Sequence, residues 1–115
     1  MIAIVDGGST KCDWVILEND GKEVLKTETV GFNPNITKPE LIAIELEKNQ
    51  ALTKFCDYLE NIFFYGSGCG TPENRLIVER EIQKVFTKSN IQVKEDLLAA
   101  AYAAYRGVPA IVCIL

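Results

Sequence analysis

Two adjacent glycines set between two β-prone runs constrain this chain more than any other feature. Ile2-Ala3-Ile4-Val5 leads into Asp6-Gly7-Gly8-Ser9-Thr10-Lys11, and Cys12-Asp13-Trp14-Val15-Ile16-Leu17 follows. An apolar run, a tight polar turn and a second apolar run predict a β-hairpin. Gly7 and Gly8 can take positive φ and leave no Cβ in the way of a ligand approaching the backbone. Consecutive turn amides make an anion-binding nest, Ser9 and Thr10 add hydroxyl donors, and Lys11 adds positive charge. Asp6 would repel a bare phosphate. Its place at the strand end makes sense with a magnesium ion between the two, because magnesium takes oxygen ligands and retains several waters. An ordinary hairpin with a glycine turn is the competing reading, and the acidic residue, paired glycines and paired hydroxyls together weigh against it. Neither a GxxxxGK[ST] P-loop nor a GxGxxG dinucleotide fingerprint occurs in the chain.

The turn Asn19-Asp20-Gly21-Lys22 predicts that a third strand, Glu23 to Val30, folds back on the second. Its mixed alternation, Val24, Lys26, Glu28 and Val30 against Glu23, Leu25, Thr27 and Thr29, suits an edge strand. Gly31-Phe32-Asn33-Pro34-Asn35 breaks that strand. Thr37-Lys38-Pro39-Glu40 carries a capping-box pattern, which predicts a helix from Pro39 to about residue 59 with Leu41, Ile44, Leu52, Phe55 and Leu59 as its core stripe. Asn61 to Tyr65 reads as a buried strand that ends in the turn Gly66-Ser67-Gly68-Cys69-Gly70. Thr71 then caps a helix with Pro72 in its first position and Leu76, Ile77, Val78, Ile82, Val85 and Phe86 as its apolar face. A strand at Ile91-Gln92-Val93 leads through Glu95-Asp96 into an alanine-rich helix from Leu97 to Arg106. Gly107-Val108-Pro109 ends it, and Ala110 to Leu115 is one more strand. The result is an α/β domain over residues 1–107 with the order β-β-β-α-β-α-β-α and helices packed on a mixed sheet; residues 108–115 open a strand into a second domain.

A chain of 115 residues, 48% of them hydrophobic, suits one domain with its own core. The net charge of −4 without a basic run argues against a nucleic-acid face or a polybasic membrane patch. Cys12, Cys56, Cys69 and Cys113 form no CxxC pair, and there is no histidine to complete a zinc set. Reduced, mostly buried thiols are expected. No charged leader precedes an apolar stretch, and no run approaches the roughly 20 apolar residues of a membrane span. A cytoplasmic protein is the expectation.

Val5-Asp6-Gly7-Gly8-Ser9-Thr10-Lys11-Cys12-Asp13 resembles the first phosphate motif of the actin, hexokinase and Hsp70-like ATPases. Within them it is similar to the branch that holds the N-acetylglucosamine kinases and the ATPases that activate benzoyl-CoA reductase. The order of elements extends the resemblance over essentially the whole chain. It implies a ribonuclease H-like, actin-type ATPase domain that uses ATP and Mg2+ on a small-molecule sugar. It also implies a C-terminal domain of the same protein, carrying the second phosphate loop and the adenosine segment, and it is compatible with a homodimer. By itself the chain is expected to be nearly inactive.

The resemblance assigns the amides of Gly7, Gly8, Ser9 and Thr10 to the phosphates of the nucleotide and Asp6 to magnesium. Lys11 either reaches a phosphate or is an exposed turn lysine. Asp96 stands where a strand gives way to a helix, and ligands collect at the carboxyl ends of strands in open α/β sheets. Local sequence alone favours a helix N-cap there. The resemblance makes Asp96 the catalytic base instead, a sugar contact that takes the hydroxyl proton as it attacks the γ-phosphate. Asn33 corresponds to a loop asparagine that contacts the sugar, with Asn35 as the alternative and a plain turn asparagine before proline as the competing reading. Ser67 and Gly68 match a small-residue turn lining the same pocket. Cys69 fits no cluster spacing and is read as packing. Two other uses of such a fold remain open, an ATPase that activates a partner reductase and a non-catalytic regulator that binds sugar.

Overall fold

The computed structural model describes residues 1–95. The alanine-rich helix, the last strand, the boundary at residue 107, Cys113 and Asp96 lie outside the described residues. In chain order the elements are β1 (Ile2–Gly7), β2 (Lys11–Leu17), β3 (Glu23–Val30), α1 (Pro39–Lys48), α2 (Gln50–Thr53), β4 (Asn61–Gly66), α3 (Pro72–Val85) and β5 (Asn90–Glu95).

The five strands form one sheet in the order β3-β2-β1-β4-β5. The hairpin turns make β1, β2 and β3 an antiparallel meander, while β4 and β5 run parallel to β1. A parallel pair needs a crossover, and α1 with α2 supplies the first and α3 the second. The sheet is therefore mixed and the fold α/β.

β1 lies in the middle and is covered on both faces, which is why its sequence is a continuous apolar run. Ala3 and Val5 join the main core with Trp14, Ile16, Ile62, Phe64, Ile42, Leu46, Val78 and Ile82. Ile4 turns the other way, into a smaller cluster with Val15, Leu17 and Tyr65. Trp14 is fully buried, and its indole N–H donates to the Thr29 hydroxyl at 3.0 Å, so burial leaves no unpaired donor. β3 lies at the sheet edge as its pattern suggests, with Leu25, Thr27 and Thr29 half-buried and Val24, Lys26, Glu28 and Val30 exposed.

The first helical region differs from the sequence expectation in three ways. It breaks at Asn49, whose side chain accepts from the Leu52 amide at 3.1 Å and donates to the Thr27 hydroxyl and the Glu28 carbonyl, both at 3.2 Å. Asn49 thus caps α2 and ties it to β3, an option open to asparagine because its side chain competes with helical backbone bonds. The break resets the helical phase. Ile42 and Leu46, four residues apart, form the buried column with Leu52 and Leu59, whereas Leu41 and Ile44 are 43% and 46% exposed. Nor does Thr37 cap α1; its hydroxyl donates to the Gly31 carbonyl at 3.0 Å, and Lys38 occupies the N-cap without a side-chain bond. α3 starts as expected, with the Thr71 hydroxyl accepting from the Asn74 amide at 3.2 Å and Pro72 in its first turn. Leu76 is the exception on its apolar face and is exposed.

Cys12 and Cys69 are buried, Cys56 is half-buried, and all three are free thiols. Burial pushes the Cys12 thiol from 9.0 up to about 12, helped by the charges of Asp6 and Asp13 and opposed by hydrogen bonds to the Phe32 backbone and the Thr29 side chain. The folded state therefore holds this proton more tightly than the unfolded chain does. The corresponding stability is intact below about pH 9 and is lost as pH rises toward 12.

Two outcomes are expected. Ile42→Ala or Leu46→Ala should cost about 2–5 kcal/mol in urea denaturation, against about 0.5 kcal/mol for Leu41→Ala or Ile44→Ala. At pH 8, a thiol reagent followed by mass spectrometry should label native Cys56 well before Cys12; equal labelling of the two would contradict the burial of Cys12.

Candidate functional site

Because β1, β4 and β5 are parallel, their carboxyl ends share one edge of the sheet. Gly7, Gly66 and Glu95 stand level in register there. β3 also ends at this edge, since Val30 pairs with Lys11. Three connections consequently converge, the hairpin turn at residues 8–10, the 31–35 loop after β3 and the 66–70 turn after β4.

The glycines of the hairpin serve space rather than unusual dihedrals. Among the described residues positive φ occurs only at Gly21 and Gly68, so the positive φ available to Gly7 and Gly8 is not used. A Cβ on Gly7 would lie 2.5 Å from the Phe64 ring, and one on Gly8 would lie 2.8 Å from the Lys11 carbonyl. That carbonyl accepts the Gly8 amide at 2.9 Å, so this N–H is engaged inside the turn. Gly31 passes beneath the same turn. Its amide donates to the Thr10 carbonyl at 3.0 Å, and a Cβ there would overlap the Ser9 carbonyl. Sequence reasoning gave Gly31 no role beyond ending β3.

A polar cluster joins the three connections. The hydroxyls of Ser9 and Ser67 are 3.2 Å apart, and the Asn33 side-chain N–H donates to the Ser9 hydroxyl at 3.3 Å. The Ser67 amide donates to the Gly7 carbonyl at 2.7 Å. Asn33 is 8% exposed, and its side-chain oxygen accepts from the Asn35 amide at 3.0 Å. Gly68 has φ of +78°, and a Cβ on it would overlap the Asn33 amide group. Ser9, Asn33, Ser67 and Gly68 are thus brought together. Asn35, the alternative to Asn33, is exposed at the rim. Asn74 escaped the sequence reading, because nothing in a helix-start pattern reveals that a third-position side chain reaches sideways. Its amide donates to Asn35 Oδ1 at 3.0 Å and to the Gly68 carbonyl at 2.8 Å. Cys69 packs into the main core, as expected.

Asp6 faces Asp13 across the β1–β2 pair. With Gly8, Thr10, Lys11 and Lys26 they line a cavity of about 430 Å³. Lys11 Nζ lies 3.7 Å from a carboxylate oxygen of Asp13 and 3.7 Å from one of Glu28, and its side chain is 57% exposed. Such exposed pairs are weak and leave the lysine free to swing. Among the described residues no group of three or more His, Cys, Asp or Glu is arranged to hold a metal ion. Magnesium does not need one, since one or two carboxylates suffice when water and phosphate oxygens complete its shell. The donor set around Asp6 is therefore compatible with magnesium.

No protein-family model matches the sequence, and no curated protein does. A solved structure, described as that of the "Putative N-acetylglucosamine Kinase" of Porphyromonas gingivalis, matches with a TM-score of 0.80 and 32% sequence identity. The match covers 90% of this chain and 37% of that one. The resemblance read from the glycine hairpin holds in the fold. The kinase-like similarity runs over nearly all of the chain, which spans little more than a third of its neighbour's length. No helix among the described residues is long and apolar enough to cross a membrane.

Gly68→Ala should strain the left-handed backbone and displace the Asn33 amide, costing roughly 1–3 kcal/mol. Urea denaturation checks the cost, and faster hydrogen exchange at the Asn35 amide checks the displacement.

Proposed function

We propose that this chain is the N-terminal domain of an ATP-dependent sugar kinase of the N-acetylglucosamine kinase type, transferring the γ-phosphate of ATP to a sugar hydroxyl. The observation that carries this reading is the convergence of Ser9, Asn33, Ser67 and Gly68 at the carboxyl ends of parallel strands, on the edge where Asp6 is the last residue but one of β1. The similarity to a kinase-like structure supports it. The strand order and directions support the ribonuclease H-like, actin-type form of the α/β fold. The proposed domain takes in residues 1–107, with 108–115 leading into the next.

The turn at Gly7, Gly8, Ser9 and Thr10 holds the nucleotide phosphates through the Ser9 and Thr10 amides and hydroxyls; the Gly8 amide, assigned to phosphate from the sequence, is bonded instead to the Lys11 carbonyl. Lys11 leaves Asp13 and Glu28 to meet a phosphate oxygen, at little cost because that lysine is exposed. Asp6 holds magnesium, which when bound neutralises charge on the transferring phosphate. Asn33 meets the sugar. An amide group has two donor hydrogens and two oxygen lone pairs, and the bonds to Ser9 and Asn35 take one of each. Ser67 and Gly68 keep the wall beside it small. β5 ends at Glu95, level with Gly66, and Asp96, the next residue in the sequence, is the proposed base.

Asp96→Asn in the whole protein that carries this chain should lower sugar-dependent ADP release by about 10²- to 10⁴-fold, roughly 3–5 kcal/mol of barrier. Affinity for N-acetylglucosamine should change little. ATP hydrolysis that ignores added sugar, with no phosphorylated sugar formed, would overturn the kinase reading in favour of a partner-activating ATPase.

A further inference from the structure

We infer that Asn74, in the first turn of α3, is a positioning residue for the acceptor sugar, acting by locking the 31–35 loop to the 66–70 turn. The inference rests on the sugar-kinase reading for its ligand, but the lock itself is visible without one. The two connections come from different strands, and loop residues left to themselves keep conformational freedom that a ligand must remove on binding. Asn74 spans the gap between them with one amide group, donating to Asn35 Oδ1 on one side and to the Gly68 carbonyl on the other. Its own backbone is fixed, because the Thr71 hydroxyl accepts the Asn74 amide. The side chain therefore projects from a capped helix start.

Asn33 sits between the two tied points. It accepts the Asn35 amide and abuts Gly68, so its orientation toward a sugar follows from where Asn74 holds both neighbours. Capping of α3 does not require this bridge, since Thr71 already provides it. Asn74 is half-buried and Asn35 exposed, so the bridge adds little to the core. Its effect is to order the loops. Aspartate at this position keeps the shape but has no N–H to donate, and would set a carboxylate against two acceptor oxygens.

The test compares the whole protein that carries this chain with its Asn74→Ala and Asn74→Asp variants by amide hydrogen exchange and by NMR titration with N-acetylglucosamine. Both variants should melt within a few degrees of the parent. Both should exchange about tenfold faster at the Asn35 and Cys69 amides, with the β1–β2 ladder unchanged, and should bind the sugar about tenfold more weakly, the scale of one or two lost hydrogen bonds. Unchanged exchange in both variants would overturn the lock, whatever the sugar does. Faster exchange with unchanged sugar affinity would overturn the positioning role while leaving the kinase reading intact. A parent protein that does not bind the sugar would remove the functional reading and this role with it, although the exchange difference would still establish the bridge.

Discussion

The ring of Phe64 lies across Gly7 and Gly66 and stacks on Phe32, with ring centres 6.1 Å apart and planes 12° from parallel. The polar edge of the molecule hangs from that apolar contact. Gly7 and Gly66 belong to neighbouring parallel strands and are paired in register. Each lacks a Cβ where the aromatic ring needs room. Phe32 immediately precedes Asn33, so one buried ring stack fixes the hairpin, the β4 turn and the β3 loop against one another. An aromatic pair contributes about 0.5–1.5 kcal/mol beyond its buried area, and here it also sets geometry.

Above this stack the hydroxyl of Ser9 is the meeting point of two other connections, taking the Asn33 amide on one side and facing Ser67 on the other. On the proposed reading, a phosphate-binding turn and an acceptor pocket built around one shared hydroxyl would not be independent sites. Movement of the turn on nucleotide binding would be felt directly at Asn33 and Ser67. Transfer between two bound groups depends on their relative placement more than on any one contact, and a shared node is a direct way to maintain that placement.

The sheet was legible from the chain because period-two patterns and turn residues at Gly7-Gly8, Asn19 to Lys22 and Gly66 to Gly70 all agree with it. The resemblance to the phosphate motif brought Asn33, Ser67 and Gly68 to one pocket, whereas the bonds that join Ser9 to Asn33 and Ser67 were not legible in the sequence. The helix after β3 was less legible, because Leu41-Ile42-Ala43-Ile44 offers two apolar columns and only the break at Asn49 decides between them. That break depends on Thr27 and Glu28, some twenty residues earlier in the chain, and no local pattern contains them. Gly31 and Asn74 were missed for the same reason, since their importance lies in what other segments bring against them. The two hairpin glycines stand out in the sequence for positive φ and for the room they leave a ligand; in the fold their φ is not positive, and the missing Cβ makes room for the Phe64 ring at Gly7 and the Lys11 carbonyl at Gly8.

The level register of Gly7, Gly66 and Glu95 makes the backbone itself a ruler. Adjacent strands lie about 4.8 Å apart, so the ends of the first and fifth strands are separated by roughly 10 Å. Ladder hydrogen bonds rather than side chains set that spacing. Loops along the rim can then change in length and sequence while the gap they bridge stays the same.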